Sequence, residues 1–204
     1  MTIRIGILIS GRGSNMLALA EAVASGRVPG AEVALVVSDH ANAAGLASAK
    51  ARGLTALTIE RDGRSRDEHD RAMVAALKEH GVEIVCLAGY MRLLSTYFID
   101  SYRNRILNIH PSLLPAFPGL DVHAKALQHG VKWTGCTVHF VDETLDGGPI
   151  VGQRVVVVLE DDTEETLSAR ILKEEHQLYP EALALIVSGE YEIVGRRVRV
   201  KDDL

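Results

Sequence analysis

The chain has 204 residues, a length that suits one domain with a sizeable core, with 47% hydrophobic residues, 24% charged residues and a formal net charge of -5. That acidic balance argues against a general nucleic-acid binder, whose phosphate contacts need clustered Lys and Arg. No apolar run reaches the roughly 18 residues of a membrane-spanning helix, the N-terminus "MTIRIGILIS" carries no signal-peptide cleavage site, and the expected setting is cytoplasmic.

In chain order, "IRIGILIS" is a short apolar strand that runs through "GRGSN" into "MLALAEAVASGRV", whose apolar spacing is helical. The pattern repeats: "AEVALVVS" before "NAAGLASAKARG", "LTALTI" before "RDEHDRAMVAALKEHG", and "VEIVCLAG" before "STYFIDSYR". Strands nearly continuous in Val, Ile and Leu that alternate with helices indicate an α/β fold with a doubly wound, mostly parallel central sheet. Next come the strand "RILNIH", a helix over Val122 to Gln128, and the strand-like runs "GCTVHFVDE" and "IVGQRVVVVL" around a "LDGGPI" turn. So short a link predicts antiparallel pairing and a mixed C-terminal edge to the sheet. "DTEETLSARILKEEHQLYPEALALIVSG" predicts a long helix interrupted or bent near Pro180, and "YEIVGRRVRVKDDL" a small hairpin around Gly195 with a charged end. No repeat, linker or composition shift marks a boundary, so a single domain over 1–204 is expected.

Three stretches suggest chemistry. "SGRGSN" feeds a strand into a helix N-terminus, where free backbone N–H groups and the helix dipole favour an anion such as phosphate; the other reading is a tight connection with Ser14 or Asn15 capping the helix. The dinucleotide fingerprint is incomplete because Met16 stands where its third glycine belongs, although Asp39 ends the second strand where a ribose-binding acid is expected. "NIHPSLLP" ends a buried strand on Asn108 and His110, whose side chains share a face by the period-two rule, at the carboxyl end where α/β sheets bind ligands. Pro111 and Pro115 stiffen the backbone behind them. An amide beside a titratable donor suits a developing oxyanion, and Asp146 in "VDETLDGGPI" offers a carboxylate to orient and charge the imidazole.

Cys86 and Cys136 sit in apolar runs as small buried hydrophobes, and neither is a nucleophile candidate. No metal site is expected: His123, close after Asp121, lacks partner ligands and reads as structural.

"NIHPSLLP" followed at the right separation by "GCTVHFVDETLDGGPIV" resembles the folate-dependent formyltransferase family, and "SGRGSN" resembles its glycinamide ribonucleotide branch. The resemblance extends from the first strand through "KEEHQLYPEAL". It implies a Rossmann-like formyltransferase fold, with a nucleotide- or phosphate-binding half over 1–100 and a catalytic and folate-binding half over 101–190. It also implies transfer of a formyl group from 10-formyltetrahydrofolate, as co-substrate, to the amine of 5'-phosphoribosylglycinamide, a step of de novo purine synthesis. The family's catalytic Asn, His and Asp correspond to Asn108, His110 and Asp146. Gly13, Ser14 and Asn15 match its phosphate loop, and Leu172, Lys173, Glu174 and Glu175 match a segment that contacts the ribonucleotide, Glu175 as a ribose-hydroxyl acceptor. Arg66, Met91, Arg92, Leu93 and Leu94, with Asp142, Glu143, Thr144, Leu145, Asp146 and Asn108, match the folate-contacting positions. Arg66 also suits ordinary surface charge at a helix start, and Arg12 is read as facing solvent.

The implied partners are these two small molecules, with no nucleic acid, no membrane and a monomer or homodimer. Methionyl-tRNA formyltransferase shares the central motifs but carries a further tRNA-binding domain, for which this length leaves no room. Formyltetrahydrofolate deformylase, which uses water as acceptor, adds an N-terminal regulatory domain, whereas here the first strand opens the sequence. A non-catalytic nucleotide-binding α/β protein is the rival of another class.

Overall fold

Ile5, Ile7, Leu8 and Ile9 of strand β1 (Ile3–Ile9) are all fully buried, so neighbouring residues, which point to opposite faces, are both covered. The structure is a computed structural model and describes residues 2–201. It forms two compact units that part after Leu107.

In the first unit β1 is followed by α1 (Ser14–Ala24), β2 (Ala31–Ser38), α2 (Ala44–Ala51), β3 (Ala56–Thr58), α3 (Arg66–Glu79), β4 (Ile84–Leu87) and α4 (Thr96–Ser101). The strands lie in the order β3-β2-β1-β4, every pair parallel, which follows from the alternation of strand and helix in the sequence. Gly6 of β1 permits close approach of the next layer, because a Cβ there would stand 2.6 Å from Leu77 Cδ2 of α3 and 2.9 Å from Val82 Cγ1. Helix α3 opens on a capping box, Ser65 Oγ accepting from Glu68 N while the Glu68 carboxylate accepts from Ser65 N.

Strand β5 (Ile106–His110) leads into the second unit, which holds α5 (Val122–Gln128), β6 (Trp133–Phe140), β7 (Ile150–Val157), α6 (Glu164–Ser188), β8 (Tyr191–Val194) and β9 (Arg197–Val200). Strands β6 and β7 are antiparallel, β7 meets β9 in parallel, and β8 and β9 form the expected hairpin around Gly195, so this unit is mixed as the short links imply. The charged end expected after it, residues 202–204, lies outside the described residues. Of the interruption or bend expected near Pro180, no interruption is found: α6 is one continuous helix through this buried residue. Proline removes the N–H that would reach the carbonyl of His176, but Leu178, Tyr179, Ala182 and Leu183 are buried around it, and their packing outweighs the missing bond.

The connection from β7 into α6 is closed by Asp162, whose carboxylate receives two 2.7 Å bonds from Arg170 along with bonds from Leu159 N and Thr166 Oγ1. Arg170 also donates to the carbonyl of Val157. The Arg170 guanidinium, with these further donors, holds the Asp162 carboxyl well below its ordinary value of 3.8.

Two outcomes follow for stability. Gly135 of β6 faces Arg154 of the neighbouring strand so closely that a Cβ would stand 1.9 Å from the Arg154 carbonyl oxygen. Gly135→Ala should therefore cost about 1–3 kcal/mol or more, read as a lower urea midpoint at unchanged slope. Asp162 has its folded-state pKa depressed, so its contribution is complete above the ordinary carboxylate value and is lost as pH falls beneath it. Asp162→Asn should lower the thermal midpoint at pH 7 and shrink the gap from the parent below pH 4, a gap that thermal scans across pH measure directly.

Candidate active site

Asn108 and His110 leave β5 on one face, as their spacing requires, and both reach a cluster in the second unit. The His110 ring, 6% exposed, donates from Nε2 to the carbonyl of Phe117 at 2.9 Å and turns Nδ1 toward Asp146 Oδ2 at 3.6 Å. Both ring nitrogens thus face oxygen atoms, with Nε2 hydrogen-bonded and Nδ1 turned toward the carboxylate. Asp146 Oδ2 also accepts from Gly119 N at 2.8 Å, while its Oδ1 lies 3.7 Å from His139 Nε2.

His139 is the member that the sequence reading missed. Its Nδ1 donates to the carbonyl of Phe140 at 2.8 Å, which leaves Nε2 as the acceptor for the Asn108 side-chain nitrogen at 3.2 Å. Burial pushes the His139 ring pKa down, so it stays neutral and keeps that lone pair. The bond fixes which end of the Asn108 carboxamide is nitrogen. A signal was present: Thr137 and His139 are polar at period-two spacing inside an apolar strand, so both face one side of β6.

Thr137 shows what aims the His110 ring. Its hydroxyl donates to the carbonyl of Ser112 and accepts from Leu114 N and Gln153 Nε2, while Ser112 Oγ donates to the carbonyl of Ala116. The turn behind His110 is therefore held by hydrogen bonds to β6 and β7 as well as by Pro111 and Pro115. Asp146 itself adopts the left-handed conformation, φ +49, which Asp tolerates better than most residues. The chain returns against β6 directly afterwards, and only a glycine fits at 148, where a Cβ would stand 2.0 Å from the carbonyl oxygen of Phe140. Earlier in the loop, Asp142 Oδ1 accepts from Thr144 N in a side-chain turn, and Glu143, Thr144 and Leu145 are exposed.

In the first unit the turn after β1 places Gly13 at the N-cap of α1 with φ +75 and no side-chain cap bond. Neither Ser14 nor Asn15 caps the helix with its side chain; both lie within its first turn. The turn is pressed against α2, with Gly45 N donating to the carbonyl of Gly11 and a Cβ on Gly13 standing only 2.8 Å from Gly45 Cα. Arg12 is exposed, as expected.

Four of the residues expected around the folate, Arg66, Met91, Arg92 and Leu93, line one cavity of about 220 Å³ together with Arg61 and Asp70. Leu94 lies outside its lining and is half-buried. Met91 and Leu93 are 68% and 58% exposed, which leaves their apolar side chains open to a ligand. Asp39, just after β2, is buried and paired with Arg92.

On α6 the segment 172–175 spans a full helical turn, so its side chains point in different directions. Glu175 is buried, Leu172 half-buried and Lys173 exposed, while Glu174 is engaged by Arg154 at 3.2 Å. Cys86 and Cys136 are buried thiols, and burial pushes Cys136 up to about 12. His123 lies on α5 with its pKa lowered by burial. Among the described residues no group of His, Cys, Asp and Glu could hold a metal ion, and no helix is long and apolar enough to cross a membrane.

Comparison with known proteins places this arrangement in context. Phosphoribosylglycinamide formyltransferase of Escherichia coli is 39% identical over 188 residues, covering 92% of this chain and 88% of that one. The trifunctional purine biosynthetic protein adenosine-3 of Drosophila melanogaster is 46% identical over 91% of this chain, which spans only 14% of that protein's length. Among solved structures, glycinamide ribonucleotide transformylase 1 of Symbiobacterium toebii superposes with a TM-score of 0.96 at 52% identity, covering 98% of this chain and 95% of that one. Residues 3–183 match the family described as formyl transferase, and the chain belongs to that family.

Proposed function

We propose that the protein transfers the formyl group of 10-formyltetrahydrofolate to the amine of 5'-phosphoribosylglycinamide, giving the N-formyl product and tetrahydrofolate, a step of purine synthesis. The observation that carries this reading is the Asn108, His110 and Asp146 cluster: an oriented amide, an imidazole facing two acceptors and a carboxylate, with no nucleophilic side chain among them.

The chemistry suits direct attack. The amine lone pair adds to the formyl carbon, and the carbonyl oxygen becomes an oxyanion that the Asn108 amide and His110 Nδ1–H stabilise. His110 Nε2 is already committed to the Phe117 carbonyl, so Nδ1, beside Asp146, is the nitrogen available to the reaction. Asp146 accepts the proton that the attacking amine sheds, directly or through water, and that proton passes on to the folate nitrogen, which leaves as a neutral amine when the oxyanion re-forms the carbonyl. A covalent acyl-enzyme is unnecessary, because the acceptor nitrogen is itself the nucleophile, and the Cys136 thiol, pushed up to about 12, stays protonated.

The ribonucleotide phosphate is assigned to Gly13, Ser14 and Asn15 at the uncapped start of α1, and its ribose to the 172–175 segment, with Glu175 accepting from a hydroxyl. Arg66 and Met91 to Leu94 are assigned to the folate, as is the loop from Asp142 to Leu145. The reading includes a cytoplasmic setting, a monomeric or homodimeric protein and no metal. Hydrolysis of the formyl group by water is the rival outcome for the same cluster.

Formyl transfer followed by folate absorbance, with and without the ribonucleotide acceptor, tests the proposal. Acceptor-dependent turnover is expected, and formate released at the same rate without acceptor would mark a hydrolase. His110→Ala and Asp146→Asn should each lower kcat by at least about 10²-fold, the scale of a lost oxyanion donor, with substrate binding largely kept. His139→Ala should lower kcat by roughly 10-fold or more, because the Asn108 amide loses the acceptor that orients it; unchanged kcat in this variant would show that Asn108 needs no such orientation.

A further inference from the structure

We propose that Asp39 is a positioning residue for the folate co-substrate, presetting the loop Gly89–Ser95 through its bond to Arg92, an inference that rests on the assignment of that loop to the folate. Asp39 does not line the cavity beside Arg92. Its side chain is 2% exposed, and its Oδ2 accepts from Arg92 Nε at 2.5 Å. The other oxygen, Oδ1, has no hydrogen-bond partner among the described residues. His40 Nε2 lies 3.6 Å from Oδ2, on a side chain that is 57% exposed. A carboxylate this deeply buried is tolerable only while its counter-charge stays in place. Movement of Arg92 would therefore strand the charge, and the loop is tied to the end of β2.

Two further anchors hold the same loop. Ser10, at the end of β1, donates its N–H to the carbonyl of Gly89 and accepts from Met91 N through its hydroxyl at 3.0 Å. Asp70, buried on α3, accepts from Ser95 N at 2.6 Å. The loop is thus attached at Gly89 and Met91, at Arg92 and at Ser95, while Met91 and Leu93 keep their apolar side chains exposed beside the cavity. A loop fixed in this way has its backbone groups in position before a ligand arrives, which removes an ordering cost from binding. Of the three anchors, the Arg92 bond alone joins a full negative charge to a full positive one, and it grips the middle of the loop.

Asp39→Asn keeps the shape and removes the charge. Calorimetric titration with tetrahydrofolate should show a dissociation constant raised about 10-fold or more, the scale of binding groups displaced by about 1 Å. The KM for 10-formyltetrahydrofolate should rise in step, with kcat and the ribonucleotide KM held within about twofold. Amide exchange should speed up across residues 89–95 and stay unchanged in α1. Should Asp39→Asn fail to fold, Asp39→Glu, which keeps the charge but moves the carboxylate by one methylene, is expected to fold and to show the same weakened folate binding. Tetrahydrofolate affinity equal to the parent's in whichever variant folds overturns the role of Asp39 while leaving the folate assignment standing. A parent protein that binds no tetrahydrofolate overturns both.

Discussion

Asp146 places one carboxylate among two imidazoles and a backbone amide, and the rest of the cluster is arranged around that sharing. One oxygen serves Gly119 N and His110, and the other faces His139, which in turn orients the Asn108 amide. Buried rings and amides are costly when their partners are uncertain. Here each polar group fixes the next: the Phe140 carbonyl sets the His139 tautomer, the tautomer sets the Asn108 amide, and the Phe117 carbonyl leaves His110 Nδ1 for the carboxylate. The left-handed backbone at Asp146 and the glycine at 148 are the local conditions that allow one short loop to deliver the carboxylate and return at once to the sheet.

The first unit shows a different use of charge. The turn after β1 carries no capping side chain, whereas the loop after β4 is bonded to buried carboxylates just after β2 and on α3. The same row of strand ends therefore holds one anion-receptive turn and one preset apolar loop. Asp39 occupies the place where a dinucleotide-binding fold would spend an acid on a ribose, and it is spent on Arg92 instead.

Most of this architecture was legible in the sequence because it follows from periodicity. Continuous Val, Ile and Leu runs mark β1, β2 and β4 as strands buried on both faces, and Ser65 with Glu68 marks the start of α3. Asn108, His110 and Asp146 stood out as polar residues where the pattern should end or turn. The missed features depend on contacts that spacing does not encode. His139 joins the cluster only because β6 carries it to Asn108, and Asp39 meets an arginine far along the chain. Helix α6 continues through Pro180, where local propensity disfavours helix, because Tyr179 and Leu183 are packed around it.

The hydroxyl of Thr137 is saturated, its one hydrogen given to Ser112 and both lone pairs taken by Leu114 and Gln153. Position 137 is therefore a junction through which the sequence cannot drift by shape alone. Valine, the near-isostere, would strand the Ser112 carbonyl and the Leu114 amide at once and leave Gln153 only its bond to the Leu114 carbonyl, whereas serine keeps every bond and loses only a methyl group. The evolutionary freedom of the turn behind His110 is thus set by a strand residue that never reaches the reacting atoms.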